Sequence, residues 1–294
     1  MRHDPNPAAR VVVAISGGLG NQMFQYAMAR RFAHVNDAEL LLYLGTRYKP
    51  GKSRAYGLTK FRITGRLATH GEAGGLRRVR PWRRIPGRLL PGLLPAPDPE
   101  VVAEKTMRFD PDILTRRCPV KFNGVWQCER YFAEIADLIR AEFTPRDDLD
   151  RRNQDMLIRI KSGPSCFIHV RRGDYVTGGV YACPPDYYAE AAALVRERVG
   201  SSVRFFVFSD EPNWVREMQI GGANAEIIDW NGEAPERDLE LMRACDHAII
   251  ANSSFSWWGA WLGDLGERTV IVPRIWFLGR SDLDDIAPSR WLRI

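Results

Sequence analysis

The densest collection of chemically capable side chains is Cys166–Tyr175, CFIHVRRGDY. Cys166, Phe167 and Ile168 read as a buried parallel strand. His169, Arg171, Arg172 and Asp174 follow at its carboxyl end, which in open α/β sheets is where ligands bind. Adjacent guanidiniums are costly to bury without an anion, and their planar forks match phosphate oxygens. The stretch therefore reads as a phosphate or pyrophosphate site; the alternative is an Arg–Asp cluster that ties loops together. A second candidate is the glycine-rich turn Ser16-Gly17-Gly18-Leu19-Gly20-Asn21-Gln22, which follows the strand-like run Arg10–Ile15. Its glycines allow close backbone approach, and a helix starting near Asn21 would aim N–H groups at an anion. The spacing is not the dinucleotide fingerprint. The third candidate is Asp238–Gly263, with Asp238 in a short helix, HAIIA as strand, Asn252-Ser253-Ser254-Phe255 as turn and a Trp-rich helix from Ser256. Small hydroxyl residues there can donate to a phosphate or simply cap the helix. Two anion-suited turns on one sheet edge favour a ligand. Two more strand ends, Ser209-Asp210 and Asp229-Trp230-Asn231, fall at the same edge.

The elements that must position these residues are legible from hydrophobic runs. Glu39–Tyr43 continues the first half as a strand, and Val120–Trp126 and Tyr131–Phe143 read as a strand and an amphipathic helix that close it. Residues 45–118 carry little periodicity and many Gly, Pro and Arg. Thr144–Asp150 is polar and proline-containing, as a linker would be. Beyond it, strands at Cys166–Val170, Val203–Phe208, Ala225–Asp229, His247–Ala251 and Thr269–Val272 alternate with helices near 186–198, 213–219, 236–245 and 256–264. That alternation predicts an α/β fold with a parallel sheet and helices on both faces. Domains are expected at 1–150, with a basic insertion around 45–118, and at 151–294.

With 294 residues, 45% hydrophobic and 27% charged, the chain has the composition of a soluble globular protein rather than a disordered or fibrous one. A net charge of +6 favours anionic ligands. The five cysteines lack the paired spacing of a zinc site or disulfide framework, and neither a signal-peptide core nor a membrane-length apolar run is visible, so a cytoplasmic location is expected. The segment 76–94 combines arginines with apolar residues. It reads either as a peripheral contact with an anionic inner membrane face or acceptor, or as a solvated insertion. Its aromatics are not interleaved as stacking platforms, so nucleic acid is not expected as a partner. Asp110-Pro111-Asp112, Asp148-Leu149-Asp150 and Asp282-Leu283-Asp284 match the Asp-x-Asp pattern of metal-using transferases, but none terminates an apolar strand. All three are expected to be surface carboxylates, with no metal and no cofactor.

Taken together, His169-Val170-Arg171-Arg172-Gly173-Asp174-Tyr175, the early Gly-Gly-Leu-Gly-Asn-Gln-Met-Phe-Gln-Tyr-Ala and the late Asn252-Ser253-Ser254-Phe255-Ser256-Trp257-Trp258-Gly259-Ala260 resemble the α-1,2-fucosyltransferases, bacterial type. The resemblance runs from about residue 11 to 265. It implies two Rossmann-like domains facing each other across a cleft (GT-B type), the N-terminal one on the acceptor side and the C-terminal one binding GDP-fucose. It also implies inverting, metal-independent transfer of fucose to the 2-hydroxyl of a galactose-containing oligosaccharide or lipid-linked glycan. Carried over by position, Arg171 binds the β-phosphate and does what a metal does elsewhere. His169 and Arg172 belong to the donor site, and Asp238 matches an aspartate that reads guanine in the related α-1,6-fucosyltransferases. Asn252, Ser253, Ser254 and Phe255 fall at the pyrophosphate, and Gly18, Asn21 and Gln22 face the same ligand from the first domain. Strand alternation puts His169 and Arg171 on one side and turns Arg172 inward, toward Asp174 or a neighbouring helix. Inversion also needs a base. The position it takes in the α-1,6 enzymes falls near Gly179, so the base is unassigned; Asp174 is the nearest carboxylate, with a role in holding Arg171 as the alternative, and Glu129 and Asp210 follow.

Overall fold

The computed structural model describes residues 6–45, 55–73, 99–280 and 284–294. The basic segment 76–94 lies outside the described residues. The chain divides into two compact units, one of Met1–Leu58 with Ile63–Ile139 and the other of Thr59–Arg62 with Arg140–Ile294. Among the described residues no helix is long and apolar enough to cross a membrane.

The first unit is built on β1 (Asn6–Ala14), α1 (Leu19–Val35), β2 (Ala38–Tyr43), β3 (Arg66–Leu67), β4 (Glu100–Ala103) and β5 (Val120–Asn123). The strands pair in parallel in the order β3-β2-β1-β5-β4. Val11, Val12 and Val13 are all fully buried, which is why β1 reads as an unbroken apolar run rather than an alternating one. Gly17 takes a φ of 78° between β1 and α1, a conformation that suits glycine. Two strands were not legible in the sequence. β3 is exposed throughout and β4 buries only Val102, so neither carries a hydrophobic pattern. The single helix expected over Tyr131–Phe143 is broken into 3-10 turns at Glu129–Tyr131 and Ala133–Ile135, followed by α2 (Ala136–Glu142). Tyr131 packs on Phe109 and Trp126 while its neighbour Phe132 packs on Phe24, and sending both adjacent rings into the core disrupts the helical path.

The second unit runs α3 (Arg151–Lys161), β6 (Ser165–Val170), α4 (Gly173–Thr177), α5 (Pro185–Val199), β7 (Arg204–Ser209), α6 (Pro212–Glu217), β8 (Glu226–Ile228), α7 (Pro235–Ala244), β9 (His247–Ile249), α8 (Ser254–Gly263), β10 (Val270–Val272) and β11 (Leu292–Arg293). The repeated βα pattern expected beyond residue 165 is present, and all strands are parallel in the order β11-β10-β9-β6-β7-β8. Neither α3 nor β11 was anticipated. α3 is capped by Asp150, whose carboxylate accepts from the Asn153 N–H, and it buries Asn153, Met156 and Ile160.

The strand order sets where a ligand can lie. From β6 the chain moves outward through β7 to β8, then returns to pair β9 on the other side of β6 and continues to β10. Right-handed crossovers therefore put α5 and α6 on one face of the sheet and α7 and α8 on the other. The packing agrees. Ile168 and Val170 share a core with Tyr188, Ala191 and Val215 of α5 and α6, whereas Gly259 of α8 sits so close to α7 that an added Cβ would lie 2.7 Å from Met242 Sδ. The Trp-rich helix is core: Trp257, Trp258 and Trp261 are buried and in mutual ring contact.

Candidate functional site

The strand order reverses between β6 and β9, and in open α/β sheets the crevice outside the carboxyl ends of the strands at such a point is where ligands bind. The chain leaves β6 through Arg171 and Arg172 into α4 and leaves β9 through Asn252 and Ser253 into α8, so two of the three candidate stretches meet at the one place in this sheet where the topology favours a ligand.

His169 points to the α7/α8 face, its ring 5.6 Å from that of Phe255. It is buried, and its Nδ1 has no hydrogen-bond partner among the described residues. Burial, with the Arg171 charge adding to it, drives its pKa down to about 3, so the ring is neutral and keeps one donor and one acceptor at physiological pH. Arg171 is bracketed by two carboxylates, Asp174 at 2.6 Å and Asp210 at 3.1 Å. The bracket fixes the guanidinium in a partly buried position at the crevice. Arg172 points the other way, as strand alternation required: its Nε meets Glu211 at 3.1 Å and its guanidinium lies 3.9 Å over the Trp214 ring of α6. Of the two inward partners expected for Arg172, the neighbouring helix is the one found, and Asp174 belongs to Arg171. The Arg172 N–H donates to Asp210 Oδ1, so Asp210 ties both arginines to the end of β7. Gly179 has a φ of 67° in the turn that follows α4.

Asn252 is fully buried. Its amide donates to the carbonyls of Tyr181 and Trp276, and its backbone carbonyl accepts from the Tyr175 hydroxyl. Its side chain thus holds three loops together at the crevice. Ser253 is the N-cap residue of α8 but makes no side-chain cap bond, and the Ser256 hydroxyl donates to the Ser253 and Ala251 carbonyls. α7 runs back from the carboxyl end of β8 toward β9, so Asp238 in its first turn lies at the same sheet edge. Burial raises the Asp238 carboxyl to about 7, the Glu236 charge adds to the rise, and a hydrogen bond from Asn231 opposes it.

In the first unit the equivalent reversal lies between β1 and β5. Gln22 donates to the carbonyls of Gly17 and Ala55 and accepts from the Gly57 N–H, so its amide holds the turn to the 55–57 segment. Asn21 Oδ1 accepts from Gln127 at 2.8 Å, and Gln127 Oε1 is buried without a hydrogen-bond partner among the described residues. Gln25, not singled out in the sequence, bonds Ser16 at the end of β1 and the Gly124 carbonyl beyond β5. Glu104 accepts from the Val125 and Trp126 N–H groups and so holds Trp126 at a φ of 58°. Gly18 is the extended N-cap residue of α1.

The three Asp-x-Asp matches do other work where they are described. Asp110 caps a 3-10 turn, Asp150 caps α3 and pairs with Arg237, and Asp284 is exposed and pairs with Arg293; Asp282 lies outside the described residues. Among the described residues no group of three or more His, Cys, Asp or Glu side chains is placed to hold a metal ion.

The glycosyl transferase family 11 model matches residues 114–278. An α-1,2-colitosyltransferase of Escherichia coli is 32% identical over 97% of this chain and 98% of its own length. Galactoside α-(1,2)-fucosyltransferase 1 of Saimiri boliviensis boliviensis is 32% identical over 52% of this chain and 45% of its own. The crystal structure of NodZ α-1,6-fucosyltransferase soaked with GDP-fucose superposes with a TM-score of 0.52 at 14% identity, covering 88% of this chain and 96% of that one. The fold is thus that of glycosyltransferases built from two Rossmann-like units.

Proposed function

The chain belongs to glycosyl transferase family 11, and from that premise we propose that it transfers L-fucose from GDP-fucose to the 2-hydroxyl of a galactoside in a glycan, with inversion and without metal. The observation that carries this reading is the Arg171 guanidinium, held by two carboxylates at the topological reversal of the second sheet, beside a buried neutral histidine and the N-terminus of α8. When the bond from the anomeric carbon to phosphate breaks, negative charge grows on the diphosphate. A cation that is already oriented stabilises that charge with little reorganisation. His169 supplies one further hydrogen bond to the nucleotide, and Ser253 and Ser254 present backbone donors to the pyrophosphate. Asp238 accepts from guanine N1–H and N2–H. Arg172, packed on Trp214 and paired with Glu211, holds the turn rather than the ligand. In the first unit Gly18, Asn21 and Gln22 belong to the turn that opens α1, and that unit is the one assigned to the acceptor.

Competition between GDP, UDP and ADP for one site, followed by isothermal titration of GDP in EDTA, tests the donor. GDP is expected to win, with or without chelator; binding that requires added metal would defeat the metal-free version. Release of GDP from GDP-fucose on adding galactose-terminated oligosaccharides tests transfer, and binding without release would leave a nucleotide-binding module. A second reading is favoured by the relative matched along almost its whole length, whose name specifies colitose. The corresponding colitose donor, compared with GDP-fucose in the same release assay, decides between the two sugars.

A further inference from the structure

Asp238 sits at the end of a buried amide relay. Its Oδ1 accepts from Asn231 Nδ2 at 2.9 Å. Asn231 and Asn153 are paired amide to amide: Asn231 Nδ2 donates to Asn153 Oδ1, and Asn153 Nδ2 donates to Asn231 Oδ1, each at 2.9 Å. Both residues are buried, at 0% exposure for Asn153 and 5% for Asn231. Two further groups settle which way the relay points. Trp230 Nε1, which can only donate, meets Asn153 Oδ1 at 3.2 Å, and the Asp150 carboxylate, which when ionised can only accept, meets Asn153 Nδ2 at 3.0 Å. Flipping either amide would set like against like, so Asn231 always presents an N–H to Asp238.

An N–H aimed at a carboxylate favours its charged form, and burial opposes it. The ionisable groups around Asp238 leave that contest local. Glu236 on the same helix adds negative charge and is paired with Lys60 at 3.5 Å, and Arg237 is paired with Asp150. From α3, Arg152 lies 3.8 Å over the Trp230 ring, and α8 carries no ionisable side chain.

We propose that Asn153 and Asn231 are a positioning pair that holds Asp238 oriented and biases it toward its ionised form, so that the donor site selects guanine over other bases. The inference rests on the reading of Asp238 as the guanine contact, because only an ionised carboxylate accepts from both guanine N1–H and N2–H. It also explains why two polar residues 78 positions apart are buried together.

The test measures GDP, inosine diphosphate and ADP affinities of the full chain between pH 5.5 and 9 by titration calorimetry. The GDP:ADP ratio is the readout, since diphosphate ionisation cancels in it. In the wild type the ratio is expected to fall as pH drops through about 7, with inosine diphosphate, which lacks the 2-amino group, intermediate. Asn231→Ala is expected to move the midpoint upward by about one pH unit, cutting the ratio severalfold at pH 7 with partial recovery above the shifted midpoint, before guanine N1–H itself ionises. Asn153→Ala should move it the same way by less. A merely structural role would weaken GDP and ADP alike and leave the midpoint in place, and that result overturns the proposal. So does a wild-type ratio that is flat with pH, which requires no variant to fold. Asp238→Asn separates the layers. If it leaves the ratio unchanged, the guanine reading has failed and this inference with it; if it abolishes the ratio while the midpoint of Asn231→Ala stays at the wild-type value, only the pairing has failed.

Discussion

Replacing Asp238 with asparagine is expected to stabilise the protein while removing its function. The carboxyl titrates at about 7 in the folded chain against 3.8 for the ordinary group, burial being the main cause. Between those two values the native state holds a proton that the unfolded chain has lost, so stability falls as pH rises and the penalty is complete above pH 7. At ~1.4 kcal/mol per pH unit the full penalty is on the order of 4 kcal/mol. Asparagine keeps an oxygen to accept from Asn231 and carries no charge, so most of that penalty disappears. Melting temperature at pH 8 should therefore rise, by about 2–4 °C for each kcal/mol recovered in a unit of this size. The gain should shrink toward zero as pH falls through 3.8, below which the wild-type carboxyl is protonated in both states. GDP affinity should fall by about 10²-fold as two charge-assisted hydrogen bonds are lost. Thermal melts of both proteins at pH 4, 6 and 8, paired with GDP titrations, check this. An Asp238→Asn protein that melts lower than wild type at pH 8, or whose advantage does not vary with pH, would refute the reasoning.

Arg171→Lys keeps a charge but loses the fork that Asp174 and Asp210 hold, so turnover should drop by about 10²-fold or more with the fold intact. Arg172→Lys, which loses the Trp214 stack and the Glu211 pair, should lose more melting temperature relative to its loss of donor binding; the reverse pattern would exchange the two roles. For His169, the folded pKa of about 3 lies below the ordinary 6.5, so its contribution is fully present above pH 6.5 and is lost as pH falls. The wild type should lose ~2 kcal/mol between pH 7 and 5 through this group, and urea melts should show a flatter acid limb in His169→Gln. Asn252→Ala leaves the Tyr181 and Trp276 carbonyls unpaired in the core and should cost about 2–4 kcal/mol by denaturant titration, against near-neutrality for an exposed loop asparagine. If the segment 76–94 meets a membrane, the protein should float with anionic liposomes at low salt and not at high salt, and its staying in solution at low salt would return the segment to an ordinary insertion.

What the amino-acid sequence determined by itself was everything carried by neighbours along the chain. The apolar runs of β1 and β6, the glycine turn before α1 and the alternating βα pattern beyond residue 165 each depend on local periodicity, and each formed within a few residues of expectation. Alternation at the end of β6 even separated His169 and Arg171 from Arg172, because successive side chains of a strand leave opposite faces. Asp150 followed by Asn153, Met156 and Ile160 is likewise a local signal, a cap and a buried stripe that announce α3. The rest could not be read at all. β3, β4 and β11 are too short or too exposed to carry a pattern and exist only because a neighbouring strand offers hydrogen bonds. The Asp210 bracket on Arg171, the Gln25 tie from β1 to β5 and the Asn153–Asn231 pair join residues 39, 99 and 78 positions apart. Polar side chains of this kind have no periodicity, since a buried amide or carboxylate is fixed by whichever donor or acceptor the folded sheet edge brings to it, and that partner is set by strand order.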